Sequence, residues 1–575
     1  MRPAPRPARG AEFDDDVLSA PSSRDLAALE ALADDLRALE YTVDGVRDLL
    51  GDPAYAALGR NQLVPALLEC RRLRRGGSAR AVPVLLWLLG ETVPADDLEA
   101  AFAGVGATGL EQLRLIERAA RASGGPRAPE ADTSPAGWRA ATNAGWRAAV
   151  ELRPYGSDVG GNLWVASDLG SEQRPGPLRH DHVLGIGGAS LTLAQTVIRT
   201  PVERALDLGT GCGIQVFHLL THVRHVTATD ISDRALAFAR FNLLLSASAL
   251  DVDAENLGDR VSLQLGSLLG PVEGERFDLV VSNPPFVITP RNDARNGARE
   301  DAYTYRDGGL AGDAVVETLV RDLPGVLAPG GAAQLLGNWE ITQGTQWDRR
   351  VRQFVPPGVD AWFIQREQLT PVQYAETWLR DAAEHRDRDA YLESFAAYLA
   401  DFASRDVEGI GFGSLWLRRP RNPRNLVRTT FEEITHEIEQ PVGPHLAAAV
   451  ERNDWLAAHT EQAASGIGIE RLLVADDVTE ERHQRPGAEH PGVILLRQGA
   501  GLRRTTLLST ELAGFVSACD GDLTAGQIAG ALAMLLKRPD AAFTAALLVD
   551  VEQLIRHGFL IPAPRNQRLL LCRYA

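Results

Sequence analysis

Ala205-Leu206-Asp207-Leu208-Gly209-Thr210-Gly211-Cys212-Gly213 is a short apolar run ending on three alternating glycines. Such a run reads as a buried parallel strand, and the glycines as the turn that carries it into a helix near Ile214. Further along, Val280-Val281-Ser282-Asn283-Pro284-Pro285-Phe286 repeats the plan with a different ending, a buried strand that stops at a proline-stiffened turn. Strands alternating with helices define an α/β doubly wound sheet. In such sheets ligands bind beyond the carboxyl ends of the strands, where both turns fall.

Outward from these two stretches, strands are expected at 203–208, 225–229, 261–265, 277–282, 332–336, 360–366 and 411–417. Helices are expected over Leu191–Arg199, Gln215–Thr221, Arg234–Leu245, Gly312–Leu327 and Tyr391–Ala403. This core spans residues 179–422. Residues 1–22 are rich in Pro, Ala and Arg, then acidic, and read as lacking fixed structure. From 23 to 122 the apolar spacing is helical, with Leu26, Leu29, Leu32, Leu36 and Leu39 on one face and a more buried helix marked by Val82 to Leu89. Residues 123–137 read as a linker, and 138–178 hold two strand-like runs, Trp146–Leu152 and Asn162–Ala166. The remainder, 423–575, reads as a winged-helix-like α+β domain, with strands at Val493–Arg497 and Arg504–Leu508 and helices at Glu511–Cys519, Thr524–Leu536 and Ala546–His557.

At 575 residues with 45% hydrophobic and 23% charged side chains, the chain reads as a globular protein of several domains. No apolar run reaches the roughly 20 residues that span a bilayer, and Met1–Arg6 lacks the apolar segment of a signal peptide. No membrane partner and a cytoplasmic location are therefore expected. Cys70, Cys212, Cys519 and Cys572 are scattered without metal-type spacing. The histidines at 180, 182, 218, 222 and 225 lack a convincing third ligand, so no metal is expected and they read as helix-surface and loop residues. A net charge of -17 repels polyphosphate, although Arg71, Arg72, Arg74, Arg75 and Arg80, and again Arg418, Arg419, Arg421, Arg424 and Arg428, form basic clusters that could dock on RNA.

Glycines at 209, 211 and 213 let the backbone turn sharply and approach a ligand, and the following helix start offers amide donors. Asp230, 23 positions after Asp207, closes the next strand, where a carboxylate can accept both ribose hydroxyls. A dinucleotide fingerprint would need glycine at 214, where Ile214 stands. The turn therefore suits a nucleoside cofactor of another kind.

In the second stretch the prolines remove amide donors and leave carbonyls free. The Asn283 carboxamide oxygen and the Pro284 carbonyl can grip the two hydrogens of a planar NH2 group, with Phe286 against its flat face. Group transfer to a nitrogen so aligned relies on proximity and orientation rather than on a strong base. The apolar-poor run from Pro290 to Asp301 reads as a lid beside this turn, and Tyr303, Tyr305 and Arg306 as candidates for the substrate entrance.

Residues 180 to about 340 resemble the class I methyltransferases that carry an asparagine-proline-proline-aromatic motif, and within them the glutamine methyltransferases of peptide-chain release factors. Asp207 to Pro290, Asp307-Gly308-Gly309-Leu310 and Leu327-Ala328-Pro329-Gly330-Gly331 carry the resemblance. It implies a seven-stranded Rossmann-like domain with S-adenosylmethionine as cofactor. It implies cofactor contacts from Asp207, Gly209, Gly211, Gly213, Asp230, Ile231, Ser267 and Asn283, and catalysis by Asn283, Pro284, Pro285 and Phe286. Ser267 stands where the family usually has Asp or Asn. Gly185 to Thr192 replaces the family's Pro-Arg-Pro-Glu-Thr segment, of which only Thr192 is kept as a substrate-side candidate. Relatives with the same tetrad methylate exocyclic amines of RNA and DNA bases. The expected activity is thus N-methylation of a macromolecule, protein amide or RNA base. A small-molecule amine and a non-catalytic scaffold stand as alternatives. Nothing in the sequence sets an oligomeric state.

Overall fold

The computed structural model describes residues 13, 16–119, 145–157, 160–170, 173, 179–290, 308–381, 388–422, 427–461 and 466–564. The linker at 123–137, Cys572, Arg424, Tyr303, Tyr305, Arg306 and nearly all of the expected lid lie outside them.

Eight strands make the central sheet: β1 (Val202–Leu208), β2 (Val223–Asp230), β3 (Val261–Leu265), β4 (Phe277–Ser282), β5 (Leu327–Thr342), β6 (Asp360–Leu369), β7 (Val407–Arg418) and β8 (Thr429–Glu433). Their order is β3-β2-β1-β4-β5-β7-β6-β8. The first five run parallel to one another, and β7 lies antiparallel to both β5 and β6. All seven expected strands form, and an eighth, β8, extends the sheet parallel to β6. The sheet therefore runs past residue 422, and the unit containing it ends at Glu433.

Strands β1 and β4 alternate little because both faces are covered; Leu206, Phe277, Val280 and Val281 are all at most 1% exposed. One face packs on Val316, Leu319 and Val320 of the helix Ala314–Asp322. The helix Asp233–Leu245 is apolar on nearly every side and almost wholly buried, because further layers cover the face it turns away from the sheet. It touches the strand Leu163–Ser167 and the helix Leu26–Ala38 of the amino-terminal region.

That region is helical as expected, with helices Leu26–Ala38, Val43–Leu50, Leu63–Arg75 and three shorter ones. The buried Val82–Leu89 segment is a short helix, Ala81–Pro83, continued by a π-helical turn over Val84–Leu88. The expectation for residues 1–22 fails over 16–22. Ala20 is 2% exposed, Ser22 donates its amide to the Leu113 carbonyl, and Arg114 donates to the Val17 carbonyl at 2.8 Å.

The expected strand Trp146–Leu152 divides in two. Gly145–Ala148 pairs with Val93–Pro94 and Ile116–Arg118, while Glu151–Tyr155 forms a hairpin with Leu163–Ser167. Between them Ala149 and Val150 bend the chain, the Ala149 amide still donating to the Leu115 carbonyl in register with Ile116–Arg118.

Residues 195–200 and 434–575 form a second unit. Arg471–Val474 lies between Asp520–Thr524 and Leu560–Pro562, antiparallel to both, and a separate sheet joins Val478–His483, Val493–Gln498 and Thr505–Leu508. The order from Thr510 is helix, strand, helix, helix, strand (Thr510–Ser517, Asp520–Thr524, Ala525–Leu535, Ala541–His557, Leu560–Pro562). A reciprocal capping box between Thr524 and Gln527 starts the middle helix. Among the described residues the third strand of that sheet comes from ahead of these helices, not from a hairpin wing after them.

Candidate active site

Four strand ends build the site. Leu208 of β1 is the register partner of Ser282 of β4 and of Thr229 of β2, and Asp230 of β2 that of Leu265 of β3. The glycine turn, Asp230, Gly266-Ser267 and the Asn283 turn thus leave one sheet edge side by side.

The glycine turn hangs from β2. The amides of Gly209 and Thr210 both donate to the Thr229 carbonyl at 2.9 Å, and the Gly211 amide donates to Asp230 Oδ2 at 2.9 Å. Gly213 donates to the Thr210 carbonyl at 2.9 Å and caps a short helix, Ile214–Leu219, at φ 90°. Four amides of the turn, those of Gly209, Thr210, Gly211 and Gly213, thus already have partners. What it offers is bare backbone. Gly209 (φ +75°) and Gly211 (φ +55°) adopt a region that side chains avoid, and a Cβ on either would meet nothing within 4 Å.

Two carboxylates face this cradle. Asp207 is 1% exposed; its Oδ2 accepts the Thr210 hydroxyl at 2.6 Å, and its Oδ1 is buried without a hydrogen-bond partner. Burial pushes its carboxyl up to about 7, against the Thr210 bond, which lowers it. Asp230 accepts the Ser232 amide on Oδ1 at 2.9 Å besides Gly211 on Oδ2. Burial raises its carboxyl as well, and the backbone amides of Ser232, Gly211 and Ile231 hold it back. Ile231 is 58% exposed beside it, an apolar plate at the edge of a polar site. Ser267 is exposed, its carbonyl accepts the Gly270 amide, and Leu268 follows it at φ 47°.

On the acceptor side Asn283 is half-buried, and its Oδ1 is enclosed without a partner. The Pro284 carbonyl already accepts the Phe286 amide at 2.8 Å, so one of its two lone pairs is taken. Phe286 is half-buried and packs on the core beneath the turn. Gly308 lies so close to the turn that a Cβ would stand 3.1 Å from the Pro285 carbonyl.

Thr192 is exposed on the helix Gly188–Thr196. The basic clusters are largely engaged within the protein. Arg71 pairs with Glu91, Arg72 with Glu69, Arg74 with Asp97, Arg80 with Glu40 and Arg418 with Asp360, while Arg419 donates to the Leu327 carbonyl. His218 is buried with its Nε2 2.6 Å from the Tyr155 hydroxyl, not on a helix surface as expected. Among the described residues no group of three or more His, Cys, Asp and Glu could hold a metal ion, and no helix is long and apolar enough to cross a membrane.

Residues that the sequence reading missed hold the site in place. Asn242, fully buried, accepts the Ala166 amide at 2.7 Å and donates to the carbonyls of Ala166 and Cys212, tying the hairpin to the glycine turn. Arg234, one turn past Asp230, makes a two-pronged pair with Asp168 and reaches the Ser19 carbonyl. Asn242 and Arg234 fall in a helical stretch too apolar for solvent-facing residues, the one signal that could have marked them.

Residues 185–297 match the methyltransferase small domain family, while 38–128 and 447–562 match two domains of unknown function, DUF7059 and DUF7782. The ribosomal protein uL3 glutamine methyltransferase of Bradyrhizobium diazoefficiens is 35% identical over 164 residues, 27% of this chain and 46% of that protein. The release factor glutamine methyltransferase of Deinococcus radiodurans is 37% identical over 140 residues, 24% of this chain and 46% of that protein. The chain thus spans about half the length of the curated relatives it matches. A methyltransferase of Pyrococcus furiosus with a solved structure covers 40% of this chain and 80% of its own, at 15% identity and a TM-score of 0.22. The core is a class I methyltransferase domain related to these glutamine methyltransferases, and S-adenosylmethionine is the cofactor of that class.

The residues present fit that cofactor. The unpartnered Asp207 Oδ1 suits a cationic ammonium, the open Cα surfaces of Gly209 and Gly211 leave room for its tail, and Asp230 with Ile231 suits a ribose and adenine. A pyrophosphate would meet two carboxylates and a turn whose amides are engaged.

Proposed function

We propose that this chain is an S-adenosylmethionine-dependent N-methyltransferase whose acceptor is a side-chain amide nitrogen of a protein. One observation carries the reading: Leu208 and Ser282 share a register, so the cradle and the acceptor turn stand together, each with an enclosed, unpartnered oxygen, Asp207 Oδ1 and Asn283 Oδ1. When bound, the cofactor supplies an electrophilic sulfonium methyl.

The chain's own residues orient the nucleophile. Asn283 Oδ1 accepts one amide N–H, and the free lone pair of the Pro284 carbonyl accepts the other. Enclosure strengthens both bonds by excluding water. Amide nitrogens are poor nucleophiles, so alignment supplies most of the acceleration.

Protein is favoured over RNA on two grounds. The matched relatives are named as glutamine methyltransferases of a ribosomal protein and of release factors. Half of the arginines that could have gripped phosphates, Arg71, Arg72, Arg74, Arg80 and Arg418, are tied into ion pairs. A translation-related protein substrate and a cytoplasmic location follow from the same reading.

The test is transfer of radiolabelled methyl from S-adenosylmethionine into a lysate of the host lacking this gene. Label removed by protease and resistant to nuclease supports the reading; nuclease-sensitive label, or label only in small molecules, overturns the substrate class.

A further inference from the structure

Between β6 and β7 the chain inserts two helices, Pro371–Asp381 and Arg388–Ser404. Tyr374, Ala375, Leu379, Tyr398 and Phe402 of this insertion form a separate core with Val287 and Ile288, the residues that directly follow the acceptor turn. Tyr374 lies at its centre, 0% exposed, stacked on Phe412 at 5.8 Å and edge-on to Phe402 at 5.4 Å.

A phenylalanine would fill such an apolar nest without a polar atom to bury. The hydroxyl instead accepts the Ile288 amide at 2.8 Å and the Asn338 Nδ2 of β5 at 3.0 Å. Asn338 is itself 0% exposed, and its Oδ1 has no hydrogen-bond partner. The backbone amide and a buried asparagine thus meet on one tyrosine hydroxyl.

The five residues from Asn283 to Val287 are held at both ends. Upstream, the Ser282 hydroxyl donates to the Leu208 carbonyl at 2.7 Å; downstream, Ile288 is held by Tyr374. Prolines stiffen the middle, so fixing the two ends fixes the direction of the Asn283 carboxamide.

We propose that Tyr374, braced by Asn338, is a positioning residue that sets the acceptor turn, so that Asn283 presents its oxygen to the amide to be methylated. The inference rests on the N-methyltransferase reading. It makes the inserted helix pair part of the catalytic apparatus. A misplacement of about 1 Å in such a site can cost about a hundredfold in rate.

Tyr374→Phe keeps the ring and removes the hydroxyl. At saturating S-adenosylmethionine the rate of label transfer should fall about tenfold or more, with the cofactor's KM and its calorimetric Kd unchanged within about twofold. Hydrogen exchange at the Ile288 amide should rise. Asn338→Ser should reproduce the pattern more weakly.

A rate within twofold of the unsubstituted protein, or a loss that tracks weakened cofactor binding, would overturn the positioning role. If the unsubstituted protein transfers no methyl, the N-methyltransferase reading fails and the catalytic role with it. The exchange at Ile288 would still report separately whether the clamp exists.

Discussion

Ser282 donates its hydroxyl to the carbonyl of Leu208, its register partner on the neighbouring strand, at 2.7 Å. The bond joins the last residue of β1 to the last of β4, where the cradle and the acceptor turn begin. Both groups are buried, so Ser282→Ala should cost about 1 kcal/mol of stability, read from denaturant unfolding. It should also lower turnover more than cofactor affinity.

In the proposed function Asp230 holds the ribose, and its Oδ2 already holds the Gly211 amide of the loop. Asp230→Ala should weaken S-adenosylmethionine binding by about tenfold or more, by calorimetry, through loss of charge-assisted bonds. Asp230→Asn, which retains one acceptor oxygen, should fall between the two. Unchanged affinity in the alanine variant would remove the ribose contact.

Asp207 makes the ligand-free protein pH-sensitive. Burial raises its carboxyl from the ordinary range to about 7, so between about pH 4 and 7 the folded chain binds a proton that the unfolded chain has lost. The contribution of this group to stability therefore falls as pH rises through that window. Asp207→Asn, which keeps an acceptor for Thr210, should flatten the profile between about pH 4 and 7 in differential scanning calorimetry. An unaltered profile would assign the dependence to other groups.

Asn242 satisfies both backbone groups of Ala166 and the Cys212 carbonyl in a wholly buried position. Asn242→Ala leaves those groups without partners and opens a small void. A loss of about 2–4 kcal/mol is expected, with cofactor affinity lowered in parallel because Cys212 belongs to the glycine turn. Urea unfolding and calorimetry on the same preparation check both halves.

The parts of the molecule legible in its sequence were those with local signals. The runs at 205–208 and 277–282 are apolar because both faces are covered, and the following glycines and prolines mark turns wherever they fall. The eighth strand, Thr429–Glu433, was missed because a mixed edge strand carries little pattern. The split of Trp146–Leu152 follows from its two halves pairing with different strands, Ile116–Arg118 and Leu163–Ser167, of which the first is remote in sequence. The hydrogen bonds of Asn242, Arg234 and Tyr374 escaped because their partners, Ala166 and Cys212, Asp168, and Ile288, lie far along the chain. The engaged amides of the glycine turn depend on Thr229 and Asp230 of the adjacent strand, which only the register brings near.

The most direct measurement compares methyl transfer by the unsubstituted protein and by Asn283→Ala, at saturating S-adenosylmethionine, with the cofactor Kd measured on both. Transfer into protease-sensitive material by the former, a fall of about a hundredfold or more in the variant and a Kd unchanged within about twofold are predicted. Turnover of Asn283→Ala at the unsubstituted rate would contradict the acceptor role on which the proposed function stands.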